Sequence, residues 1–153
     1  MELWHWHPIF VHFAVALLFT ASVLFIAAAL LRGKPWASMC LNAAYWNFWL
    51  GILMAAGAAA TGLLAYFTVP NVSATTRADI NEHLISAVLT VTTYLILAFF
   101  LWRRQRQQLP PSNRWTTALV LAIALLTCTA YLGGDLVFEH GVGVTSVASA
   151  SAY

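Results

Sequence analysis

The run Pro8-Ile-Phe-Val-His-Phe-Ala-Val-Ala-Leu-Leu-Phe-Thr-Ala-Ser-Val-Leu-Phe-Ile-Ala-Ala-Ala-Leu-Leu31 decides the fold. It holds one ionisable side chain, His12, and stops at Arg32-Gly-Lys-Pro35. A helix crosses the hydrocarbon of a bilayer with about 20 largely apolar residues, and this run supplies them. Working outward, three more segments qualify, at 43–68, 82–102 and 115–138. The breaks between them are Pro70-Asn-Val-Ser73 and the Arg103–Arg114 stretch with its Pro-Pro pair. No segment alternates over runs of about ten residues as a membrane β-barrel would. Short connections make successive helices antiparallel neighbours. The expectation is an all-α, single-domain, integral membrane four-helix up-down bundle.

Composition agrees. Of 153 residues 61% are hydrophobic and 8% charged, against about 45–50% and about 25% in soluble domains. That balance excludes an ordinary soluble enzyme and a disordered chain. It also excludes a nucleic-acid-binding module, which needs a basic face. Two cysteines give neither a disulfide framework nor a thiolate cluster. The first span is not a signal peptide, because no Lys or Arg precedes it and two follow it. Arg32, Lys34, Arg103, Arg104, Arg106 and Arg114 share one side of the predicted bundle, with only Arg77 on the other. By the positive-inside rule the first side is cytoplasmic and both termini face outward. In a bacterium this is a multi-pass inner-membrane protein, periplasmic at its termini. Trp4, Trp6, Trp36, Trp46, Trp49, Trp102 and Trp115 fall near span ends, as an interfacial aromatic belt would. The small, uncharged tail from Gly141 to Tyr153 reads as an extended outer segment or a disordered terminus.

Every acid and every histidine falls at the outer end. Glu2, His5, His7 and His12 stand at the start of the first span, Asp79, Glu82 and His83 open the third, and Asp135, Glu139 and His140 close the fourth. Capping explains some of them. His7-Pro8 reads as a helix start with proline at the first position, Asp79-Ile-Asn-Glu82 as a capping box, and His140-Gly141 as a helix end. It does not explain His12, His83 or Asp135, each about 6–8 Å inside its span at 1.5 Å per residue. Ionisable groups inside a membrane are costly and are candidates for function. Gly62, Gly133 and Gly134 gather at the same depth. They allow either close packing, with Ala58/Gly62 and Gly57/Thr61 at small-xxx-small spacing, or room for a flat ligand between helices.

Histidines on the first and third helices lie on the diagonal of such a bundle and can approach across the core. Two facing imidazoles in an apolar setting suit a six-coordinate b-type haem, with His12 and His83 as axial ligands. His7 and His140 are candidates for a second haem, for its propionates, or for capping alone. Tyr131, Trp4, Trp6 and Phe13 are candidate ring neighbours. Covalent attachment is excluded, since no Cys-x-x-Cys-His occurs. A subunit of this kind carries electrons between quinone in the membrane and a partner redox protein, with Asp135, Glu82 or Glu139 handling the proton. Membrane lipid surrounds it, a larger complex or homo-oligomer fits its small outer mass, and no nucleic acid is involved.

Two other readings stand beside this one. His12, His83, His7 and His140 with Asp135 and Glu139 form a ligand set that zinc or copper accepts. His7 and His12, five apart, are about 140° around a helix and share no face. A cofactor-free structural or assembly subunit is the third reading, with the buried histidines unexplained.

At His7-Pro8-Ile9-Phe10-Val11-His12-Phe13 and at Gly133-Gly134-Asp135 through Glu139-His140-Gly141-Val142-Gly143-Val144, the chain resembles the domain-of-unknown-function 2231 family of small bacterial membrane proteins. The resemblance runs over most of the chain and includes the Arg77-to-His83 lead into the third helix. It implies a four-helix membrane fold, and haem binding through outer-face histidines that match His7, His12, His83 and His140. Family members often carry proline after the opening His-Phe, where this chain has Ala14.

Overall fold

The computed structural model describes residues 3–70, 72–107 and 109–144. A short 3-10 turn, Leu3–His5, leads into α1 (Trp6–Leu30), followed by α2 (Trp36–Thr68), α3 (Ala74–Arg106) and α4 (Asn113–Phe138). All four helices are long and apolar enough to cross a membrane. Successive helices run antiparallel. α1 packs most closely on α2 and α3 on α4, the α1–α4 and α2–α3 contacts complete the ring, and α1 lies diagonal to α3. The protein is a transmembrane four-helix bundle, as its hydropathy predicts. One end gathers the histidines and the other Arg32, Lys34, Arg103, Arg104, Arg106 and Arg114; below they are the His end and the Arg end.

Helix boundaries differ from the apolar spans, because a helix continues through polar residues as long as its ends are satisfied. α2 starts at Trp36, not at 43, directly after a turn in which Gly33 takes φ +81°, a left-handed conformation that favours glycine. α3 starts at Ala74, not at 82, because the Ser73 side chain accepts from the Thr76 N–H and caps it. Asp79 therefore lies inside α3, and the expected Asp79–Glu82 capping box does not form. Ser112 caps α4 in the same way, accepting from Trp115 N–H. α1 begins at Trp6, so Pro8 is third in the helix, where its missing N–H costs nothing. The expected end of α4 is present: Gly141 takes φ +61° and donates to the Val137 carbonyl. Of the tail, 145–153 lies outside the described residues.

The buried stripe of α1 is Ala14, Leu18, Ala21, Phe25 and Ala28. It meets Ala44, Phe48, Gly51 and Ala55 of α2, Thr90, Tyr94, Leu97, Ala98 and Leu101 of α3, and Trp115, Leu119, Ala122 and Leu126 of α4. In the Arg-end half, Phe25 stacks edge-on against Tyr45, Phe48 and Trp115. The Trp115 indole donates to the Leu97 carbonyl, and Trp49 donates to Gln105. Trp115 and Trp49 thus belong to the packed interior and not to the aromatic belt, while Trp6, Trp36, Trp46 and Trp102 are exposed as a belt requires. Phe13, Phe19, Leu53, Ile85, Val88, Leu95, Phe100 and Leu121 are also exposed and present an apolar surface to lipid. Cys40 and Cys128 are free thiols.

Phe48 is fully buried and touches Phe25, Trp49, Tyr94 and Trp115. Phe48→Ala is expected to destabilise the bundle by about 3–5 kcal/mol, the usual cost of emptying an aromatic site. Detergent-titrated unfolding followed by circular dichroism measures it; a loss below about 1 kcal/mol would show that this cluster is not the core.

Candidate functional site

Toward the His end the inward stripes change character. On α3, Leu101, Leu97 and Tyr94 give way to Thr90, Ser86 and His83, all on one helical face. At mid-bundle Tyr94 and Ser22 are buried together, their oxygens 3.1 Å apart, and Ser22 donates to the Leu18 carbonyl at 2.7 Å. The Tyr94 hydroxyl is therefore the donor to Ser22. Higher up, the Thr129 hydroxyl of α4 lies 2.6 Å from Ser86 and 2.7 Å from Thr90.

Two imidazoles crown this polar stripe from the diagonal helices. His7 of α1 is partly buried, with Nδ1 3.0 Å from the Ala58 carbonyl and 3.4 Å from Thr61 Oγ1. A carbonyl only accepts, so Nδ1 carries the proton and Nε2 keeps its lone pair. The ring lies over Gly62: a Cβ there would fall 2.8 Å from His7 Cε1. His83 of α3 repeats the arrangement on α4, lying over Gly133, where a Cβ would fall 2.9 Å from its Cε1. His83 differs in one respect. Its Nδ1 is buried and has no hydrogen-bond partner. Thr129 stands four residues before Gly133, the register that Ala58 holds relative to Gly62.

On α1 the histidine seated against a neighbouring helix is His7. His12 is exposed, and its Nδ1 donates to its own helix at the Pro8 carbonyl, 2.6 Å away. Five residues from His7, it points about 140° away from the side on which His7 meets the core. Of the two α1 histidines, His7 is thus the one seated on a neighbouring helix as His83 is, and His12 is not. His83 is also deeper than expected, nine residues and about 13 Å into α3, because that helix starts at Ala74. The room left by Gly62 and Gly133 is filled by the histidine rings themselves. Gly134 is different, since a Cβ there would meet nothing.

His140 is not part of this pair. Its Nε2 lies 3.3 Å from Asp79 Oδ2 and 4.0 Å from Asp135 Oδ2, joining α3 and α4 at the His end. Glu82 and Glu139 are exposed at the rim, Glu139 as the C-cap of α4. Among the described residues no three His, Cys, Asp or Glu side chains converge to hold a metal ion. The zinc or copper set of His7, His12, His83, His140, Asp135 and Glu139 is thus divided among the seated pair, the outward His12, the His140–aspartate group and the rim. Tyr131 and Phe13 are exposed, and Trp4 packs near Gly143. Arg77, the lone basic residue at this end, donates to the Tyr66 carbonyl and covers the Tyr66 ring, pinning the α2–α3 corner.

The structure adds Ser86, Thr90 and Thr129 to the residues singled out by sequence, and puts Ala58 and Thr61, read there as small packing residues, beside the His7 ring. A family model described as "Predicted membrane protein (DUF2231)" matches residues 5–146. No curated protein and no solved structure matches.

Proposed function

The chain belongs to the DUF2231 family of predicted membrane proteins, and within it we propose that the His end holds a b-type haem between His7 and His83 for electron transfer. One observation carries the reading: two imidazoles reach inward from diagonal helices, each on a glycine of the next helix, and His7 already holds the tautomer that leaves Nε2 free. The donor set fits the group. Bis-imidazole ligation is a standard b-type arrangement, and a ligating histidine ordinarily gives its other ring proton to a carbonyl. The buried, unpartnered Nδ1 of His83 fits a site that is completed on binding. Held by His7 and His83, such a group would supply single-electron transfer.

The protein's own contribution is positioning. The Ala58 carbonyl fixes the His7 ring, and the aromatic cluster around Phe25, Phe48 and Trp115 closes the bundle below. The crowding of basic residues at the Arg end supports a cytoplasmic location for that end, and on this reading the pair lies near the periplasmic face of a bacterial inner membrane. There a quinol or a separate redox protein is the exchange partner. A second reading, a cofactor-free bundle, draws on the His7–Ala58 bond, which by itself is an interhelical tie of the kind common in membranes.

The test is a reduced-minus-oxidised spectrum with haemochrome quantification on protein purified from haem-replete cells, repeated on spheroplasts with a membrane-impermeant reductant. A sharp b-type α-band, reducible from outside, is expected. A folded, colourless protein supports the cofactor-free bundle. A band reducible only after permeabilisation reverses the orientation.

A further inference from the structure

The two hairpins of the bundle repeat one device. In α1–α2, His7 sits on Gly62 and donates to the carbonyl of Ala58, four residues before that glycine. In α3–α4, His83 sits on Gly133, and four residues before that glycine is Thr129. The register is the same and the bond is missing, since His83 Nδ1 has no partner. A carbonyl has two lone pairs, so the one in the helix ladder at Thr129 retains capacity for a ring N–H.

The Thr129 side chain is unusual for its setting. Thr68, Thr93, Thr117 and Thr127 each return their hydroxyl to the carbonyl four residues earlier in their own helix. This is the ordinary way to satisfy a hydroxyl in a membrane helix. Thr129 instead reaches across to Ser86 and Thr90 of α3, one and two turns below His83. The three hydroxyls fix the separation of α3 and α4 directly beneath the histidine.

We propose that Thr129 is the positioning residue for His83: its hydroxyl cluster holds α3 against α4 so that its carbonyl takes the Nδ1 proton of His83 when Nε2 is engaged. This inference rests on the haem reading above. It makes the two ligands unequal. His7 is seated in advance, and His83 closes last.

Carbon monoxide separates the cases, because it reacts with reduced haem only where an axial position opens. Wild type, Thr129→Ser, Thr129→Val and His83→Ala are to be purified with haem and scored by reduced carbon-monoxide difference spectra. Wild type and Thr129→Ser, which keeps the hydroxyl, are expected to respond weakly. His83→Ala sets the full response. Thr129→Val, equal in size but without the hydroxyl, is expected to keep its haem and respond at least about tenfold more than wild type, within the range typical of lost outer-shell partners. Haem-loaded Thr129→Val that responds like wild type overturns the inference and leaves the haem reading intact. Thr129→Ser responding as strongly as Thr129→Val overturns it equally. A colourless wild type overturns both.

Discussion

If the His end holds haem as proposed, His7→Ala is expected to strip it from the purified protein, and His12→Ala to leave it in place. The two residues stand in the same seven-residue motif, and the sequence alone favours His12 because it lies deeper in the apolar run. The structure separates them by direction. His7 is held by the Ala58 carbonyl on the side of α1 that meets α2, while His12 is exposed and bonded to its own helix. Outer-shell partners of a ligating histidine are commonly worth about 10–100-fold in affinity, so loss of the ligand itself is expected to lower haem occupancy by at least about tenfold. His83→Ala is expected to weaken binding less, because His7 remains seated. Folding is not at risk to the same degree: polar contacts between membrane helices average about 0.6 kcal/mol. Haemochrome quantification against protein mass decides the matter. Equal loss in His12→Ala and His7→Ala would remove the structural basis of the pair.

Much of the fold was open to reading from hydropathy, because in a membrane the span length and the loop charges carry most of the architecture. The four helices, their up-down order and the diagonal placement of α1 and α3 follow from that alone. Helix ends were less legible, since Ser73 caps α3 nine residues before the apolar span begins. The inward face was least legible. Lipid-facing and core-facing residues are equally apolar, so Phe19 on the surface and Phe25 in the core look alike. A signal was nevertheless present in side-chain size. Ala14, Ala21 and Ala28 recur every seven residues on the buried stripe of α1, and seven residues before Ala14 stands His7. His12 belongs instead to the series of Phe19, which faces lipid. On α3, His83, Thr90 and Leu97 recur in the same way, the last two buried. What no spacing rule supplied was the pairing of each histidine with a particular glycine, which depends on how far α1 slides along α2.

That pairing yields the second large effect. Gly62→Ala is expected to empty the site while leaving the bundle folded. An added Cβ would lie 2.8 Å from His7 Cε1 and 3.1 Å from Nδ1. Something must move, and the imidazole at the end of a rotatable side chain moves more easily than two packed helices. Once displaced, the ring loses the Ala58 carbonyl, and with it the fixed tautomer and aim of Nε2. Affinity for haem is then expected to fall about 10–100-fold. Gly133→Ala presses on His83 in the same way, with a Cβ 2.9 Å from its Cε1. Helix stability works in the opposite direction, because alanine is favoured over glycine by about 1 kcal/mol in a helix interior. The expected signature is therefore a lost α-band with unchanged or raised resistance to unfolding, which global destabilisation would not produce. Gly134→Ala supplies the control, one residue from Gly133, since a Cβ there meets nothing. If Gly62→Ala and Gly133→Ala keep full haem occupancy, the glycines serve helix packing alone. If Gly134→Ala loses as much as Gly133→Ala, the effect comes from the α4 backbone and not from the seat beneath His83.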